Sequence, residues 1–163
     1  MRVVFFGTPD FVSPVLQKLE EKFEVVEKIR EPKQWNNLPA GKAGETIGEL
    51  QGLNPDLFVV AAYGQILPDK LLAIPKLGAI NIHPSLLPKY RGPSPIQSAI
   101  LNGDAKTGVT FIKMDEELDH GPIIYQFEET ILENDTFESL AKRLFEKSAK
   151  VLEHVIKLFT ENQ

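Results

Sequence analysis

Six apolar residues in unbroken succession, Leu57-Phe58-Val59-Val60-Ala61-Ala62, restrict the possible folds of this chain more than any other stretch. A strand with one face in water alternates apolar and polar side chains. An unbroken apolar strand needs cover on both faces, as a central strand of a parallel sheet has. Residues 2–6 (RVVFF) predict a second buried strand, stopped by Gly7-Thr8-Pro9. A helix is expected next. Ser13 followed by Pro14 predicts its N-cap and first residue, because proline is welcome only where a helix needs no N–H; Thr8-Pro9 is the competing start. Val15, Leu16 and Leu19 give this helix its apolar stripe, and residues 23–29 begin another strand. Strand, helix, strand in this order points to a parallel α/β unit.

Residues 30–56 are the poorest in regular pattern: 35–44 read as loop, and a helix over 45–53 must tolerate Gly48 and Gly52. Residues 79–82 predict a short strand, followed by a loop over 83–95 in which prolines at 84, 88, 93 and 95 forbid regular structure. A long ordered loop at the end of a buried strand usually has a task. So tight a turn predicts a cis bond before Pro88. Ser94-Pro95 starts a short helix that runs to Asn102-Gly103, and residues 109–114 and 123–130 predict an antiparallel extension around an acidic loop, 115–122. Asp135 as N-cap, with Glu138 in the capping-box position, opens a long helix. Its inner face is traced by Phe137, Leu140, Ala141, Leu144, Ser148, Val151, Val155 and Phe159.

The 163 residues fit one domain, residues 1–163, with helices flanking a mainly parallel, Rossmann-like sheet. Eighteen Lys+Arg against 23 Asp+Glu give a net charge of -5, without the overall basic footprint of a nucleic-acid binder. The chain has no cysteine, so thiolate nucleophiles, iron–sulfur clusters and disulfides are excluded, and a cytoplasmic location is the default. No apolar run approaches the roughly 20 residues needed to span a bilayer. No membrane contact is expected.

Ligands of open α/β sheets bind beyond the carboxyl ends of the strands. Three irregular segments meet that rule: 63–68, 83–95 and 115–122. Asn81 and His83 lie two apart on one strand, so their side chains share a face. An amide and an imidazole can donate to a developing oxyanion, and a carboxylate such as Asp119 would hold the imidazole protonated or accept its proton. The trio suits acyl transfer to an amine. Two other readings are open: Asn81 and His83 could serve loop backbone groups, or His83, Asp119 and His120 could bind a metal, although their spacing matches no ligand motif. His154 reads as part of a solvated helix face, and neither G-x-G-x-x-G nor a P-loop occurs.

The stretches FFGTPDFVSPVL, NPDLFVVAAYGQILP and GAINIHPSLLPKYRGPSPIQSAILNGDAKTGVTFIKMDEELDHGPI, within residues 4–16 and 54–123, resemble the folate-dependent formyltransferases. Within that family they are most similar to the catalytic domain of the methionyl-tRNA formyltransferases. The resemblance implies the formyltransferase fold and a catalytic trio of Asn81, His83 and Asp119. It also implies 10-formyltetrahydrofolate as co-substrate and no metal. The pterin is expected against Gln65, Ile66, Leu67 and the loop containing Asp115, with Ser85, Leu86, Leu87 and Pro88 as a folate-binding turn. The implied acceptor is the amino group of methionyl-tRNA. A sugar nucleotide or glycinamide ribonucleotide is the alternative, as is a folate-binding module without turnover. The longer basic loop, extra helix and extra strand of tRNA-directed members have no match in residues 30–56, and their C-terminal barrel has none. A shortened catalytic domain is therefore expected, with weak tRNA affinity unless Lys89, Arg91 and Lys113 form a local patch.

Overall fold

The computed structural model describes residues 1–33, 35, 42–115 and 117–161. The central apolar run is β3 (Leu57–Ala61), and all five of its residues are buried. It pairs in parallel with β1 (Arg2–Phe6) on one side and with β4 (Ala79–His83) on the other; β2 (Glu24–Ile29) lies parallel beyond β1. Two antiparallel strands, β5 (Lys106–Lys113) and β6 (Ile123–Thr130), extend the sheet past β4 to give the order β2-β1-β3-β4-β5-β6. The expected α/β architecture with an antiparallel extension is therefore present. The chain reverses direction across the sheet between β1 and β3, which opens a crevice beyond their carboxyl ends.

Side-chain alternation divides the sheet's two faces. Val3, Phe5, Val59, Ile80, Ile82 and Phe111 pack under α1 (Ser13–Lys22), α4 (Pro95–Leu101) and α5 (Phe137–Glu161). Val4, Phe6, Phe58 and Val60 pack on the other face with Trp35, with Leu50 of α2 (Lys42–Gly52) and with Leu71 of α3 (Asp69–Leu72). Gly7 closes β1 where only glycine fits: a Cβ there would lie 2.6 Å from the Phe5 ring and 2.9 Å from the Ala61 carbonyl oxygen.

Four local expectations are corrected. Ser13 is not an N-cap, because a 3-10 turn over Asp10–Val12 runs straight into α1 and no side chain caps the junction. Of the loop expected over 35–44, Trp35 is buried, with its ring centroid 6.4 Å from that of Phe6; residues 36–41 lie outside the described residues, and α2 begins at Lys42. Asp135 does not cap α5. Thr136 Oγ1 accepts from the Ser139 N–H (3.2 Å) and Ser139 Oγ accepts from the Thr136 N–H (3.0 Å), a reciprocal box one residue later. The inner face of α5 also takes in Phe145, Leu152 and Ile156, while Phe137 and Val151 are only partly buried. The bond before Pro88 is cis.

Candidate active site

The β4 strand sends Ile80 and Ile82 into the core and aims Asn81 and His83 at the opposite face, where the strand ends. Asp119 comes from the β5–β6 loop and meets them there. Its Oδ1 accepts from Asn81 Nδ2 (3.0 Å) and lies 3.4 Å from His83 Nδ1, while Oδ2 accepts from the Gly92 N–H (2.9 Å). His83 and Asp119 are only 4% and 8% exposed, so their mutual electrostatics are weakly screened. The other imidazole nitrogen, Nε2, is 2.9 Å from the Tyr90 carbonyl. Asn81 uses one Nδ2 proton on Asp119 and keeps the second.

These groups form the base of a cavity of about 690 Å³, within the usual range for small-ligand sites. Residues 63–67 after β3 and residues 114, 115 and 117–119 after β5 contribute to its walls. Apolar Ile66 (64% exposed) and Leu118 (60% exposed), one from each segment, line it, a setting suited to a flat heterocycle. Asp115 also lines the cavity; His120 Nδ1 lies 3.1 Å from its Oδ2 and holds the carboxyl below the usual carboxylate range. His120 thus turns to Asp115 and away from His83. Among the described residues, no group of three His, Cys, Asp or Glu side chains is placed to hold a metal ion.

Gln65, Ile66, Leu67 and Asp115, which the resemblance sets against the pterin, all line the cavity. Ser85, Leu86, Leu87 and Pro88 do not. They turn down beside β5, where Thr110 Oγ1 donates to the Ser85 carbonyl (2.6 Å) and accepts from the Leu87 N–H (3.0 Å). Gln126 Nε2 adds a bond to the Leu87 carbonyl (3.2 Å), so this turn's polar groups are spent on the protein. A second concavity, of about 550 Å³, lies between the end of β2 and α2, mixes both signs of charge, and contains none of the trio.

Backbone groups of Tyr90 and Gly92 were not expected at the site. Their signature is conformational: of the four non-glycine residues with positive φ among those described, Ala62 (46°) and Asp119 (50°) line the cavity and Tyr90 (57°) holds His83. Each such backbone costs on the order of 1–3 kcal/mol, and concentration of that cost in one place singles it out as the candidate site independently of any side-chain pattern.

The family model described as formyl transferase matches residues 2–156. The methionyl-tRNA formyltransferase of Clostridioides difficile is 40% identical over 185 residues, covering 99% of this chain and 60% of that protein. The methionyl-tRNA formyltransferase of Thermotoga neapolitana is 42% identical, covering 97% and 58%. The chain thus spans about 60% of the length of the curated relatives it matches. Among solved structures, a phosphoribosylglycinamide formyltransferase from Bacillus halodurans superposes with a TM-score of 0.80 at 26% identity, covering 98% of this chain and 94% of that one. A sugar N-formyltransferase from a Shewanella species gives a TM-score of 0.71 at 27% identity, covering 99% and 71%.

Proposed function

This chain belongs to the formyl transferase family, and from that premise we propose that it moves a formyl group from 10-formyltetrahydrofolate to the amino group of methionyl-tRNA, with Asn81, His83 and Asp119 as its catalytic residues. The reading rests on one observation above all: an amide, an imidazole and a carboxylate from separate segments meet at the base of an apolar-walled cleft. Gln65, Ile66, Leu67 and Asp115 are the side chains placed to hold the folate, which is a co-substrate consumed at each turnover. The folate supplies the activated formyl carbon.

The protein's part is to stabilise charge and move one proton. As the amine attacks, negative charge grows on the formyl oxygen, which the free Asn81 N–H and, once it carries the working proton, His83 Nδ1 can receive. The amine's surplus proton must reach the departing folate nitrogen, and the His83–Asp119 pair, directly or through a water, is the relay. The reaction would belong to the initiation of protein synthesis.

The acceptor reading is carried by similarity to the methionyl-tRNA enzymes and by the loop after β1. A small phosphorylated acceptor needs a hydroxyl and amide cradle there, but Thr8 Oγ1 donates to the Tyr63 carbonyl (3.2 Å). The deciding experiment offers one donor, 10-formyltetrahydrofolate, with methionyl-tRNA, an amino-sugar nucleotide, glycinamide ribonucleotide and water as separate acceptors. Formylated methionyl-tRNA is expected. Formylation of only a small amine would overturn the acceptor, and folate binding without any product would make the chain a binding module.

A further inference from the structure

Resting on the catalytic assignment above, we propose that Tyr90 is a positioning residue: a clamp centred on Asp104, outside the cleft, holds its backbone left-handed, and its carbonyl thereby fixes which His83 nitrogen carries the proton.

A bulky side chain at φ +57° is disfavoured unless other contacts compensate. Here they are specific. The Tyr90 hydroxyl donates to Asp104 Oδ2 (2.8 Å) and accepts from Asn102 Nδ2 (2.8 Å). Lys89 Nζ bonds the same Asp104 oxygen (2.8 Å) and lies 4.8 Å from the centre of the Tyr90 ring. On the other side of the backbone, Ser85 Oγ donates to the Lys89 carbonyl (2.5 Å), which fixes the peptide plane entering Tyr90. The side chain and the preceding peptide are therefore both anchored, and the φ between them follows. Lys89 and Tyr90 hydrogen bonds hold the Asp104 carboxyl below the usual carboxylate range, in keeping with its role as the clamp's acceptor.

The consequence lies at His83. Both of the ring's neighbours can only accept, but Nε2 makes a hydrogen bond to Tyr90 O at 2.9 Å whereas Nδ1 stands 3.4 Å from Asp119 Oδ1, so Nε2 is the better-placed donor and the protonated nitrogen of the neutral ring. Nδ1, facing Asp119 Oδ1 at 3.4 Å, is left as the nitrogen that gains and loses the working proton. Two residues further on, the Gly92 N–H holds Asp119 Oδ2, so residues 90–92 set both members of the pair. None of the clamp residues lines the cavity; they act on His83 through the backbone.

The test is nitrogen-15 NMR of histidine-labelled protein, with His83 signals assigned by a His83→Gln variant, alongside kinetics. The wild type is expected to show one tautomer, protonated at Nε2, with that proton slow to exchange. Tyr90→Phe and Asp104→Ala are expected to give mixed tautomers and fast exchange. In both, kcat should fall about fivefold to tenfold with KM for 10-formyltetrahydrofolate unchanged, the split expected of a group that positions without binding. Tyr90→Asn, which tolerates positive φ, should recover most of the loss in the Asp104→Ala background. A wild type protonated at Nδ1, imidazole signals indifferent to the clamp variants, or a raised KM at constant kcat would each overturn the proposal. Absence of formyl transfer by the wild type would sink the catalytic assignment instead, while the NMR comparison would still decide the tautomer and its dependence on the clamp.

Discussion

Asp119 accepts from an amide and a main-chain N–H and faces an imidazole at 3.4 Å from a left-handed backbone, so its position is over-determined and its carboxylate has little freedom to relax. Removing a partner from such a pre-set group loses transition-state stabilisation that water cannot restore. Asn81→Ala and His83→Ala are each expected to lower turnover by about two to three orders of magnitude while leaving the thermal midpoint nearly unchanged, checked by initial rates and melting curves. Near-wild-type rates in both would remove them from the mechanism. The three side chains were legible in the sequence because each has a chemical identity and two of them share one face of a strand. The Tyr90 carbonyl and the Gly92 N–H were not, since every residue carries such groups and only the fold selects which are used. The position of the turn at 85–88, outside the cavity lining, was illegible for a related reason. Its residue types match a binding turn, but Thr110 and Gln126, far along the chain, claim its polar groups first.

At the scale of elements, the loop carrying Asp119 is seated by Gly121, where a Cβ would stand 1.8 Å from the Lys113 carbonyl oxygen. Gly121→Ala must push that loop off the end of β5. It is expected to cost about 1–3 kcal/mol in urea unfolding and to lower turnover more than that loss of folded protein explains. Thr136→Ala should behave differently. It removes one arm of the α5 capping box, costs about 1 kcal/mol and lowers the melting midpoint by about 2–4 °C, with turnover unchanged. The sequence identified α5 but placed its cap a residue early, because Asp135–Glu138 and Thr136–Ser139 are both credible pairs three apart. Arg143, on the second turn, decides between them by taking the Asp135 carboxylate with both terminal nitrogens (2.9 and 2.6 Å). The start of α1 was displaced similarly, by a 3-10 turn that periodicity does not register.

For the molecule as a whole, the same arginine ties the long helix to the sheet's outer edge, with Nε on Glu129 of β6 at 3.0 Å and Nη2 on the Thr130 carbonyl at 3.0 Å. The Arg143 guanidinium beside Asp135 holds that carboxyl well below the usual carboxylate range. A depressed folded-state value stabilises the protein above the ordinary aspartate value, and the contribution fades as pH falls from about 4 downward. Urea midpoints at pH 7 and pH 3 should therefore fall further in the wild type than in Asp135→Asn; equal losses would show that the pair adds nothing. The layered α/β plan and the antiparallel extension were legible from the apolar run of β3 and the short link between the last strands. The strand order was not, because periodicity says which face is buried and is silent about neighbours. The extension also separates the parts of the site in time. On the ribosome, Asn81 and His83 emerge with the parallel strands, whereas Asp119 follows only after β5, so a nascent chain halted before that point would present an imidazole without its carboxylate partner.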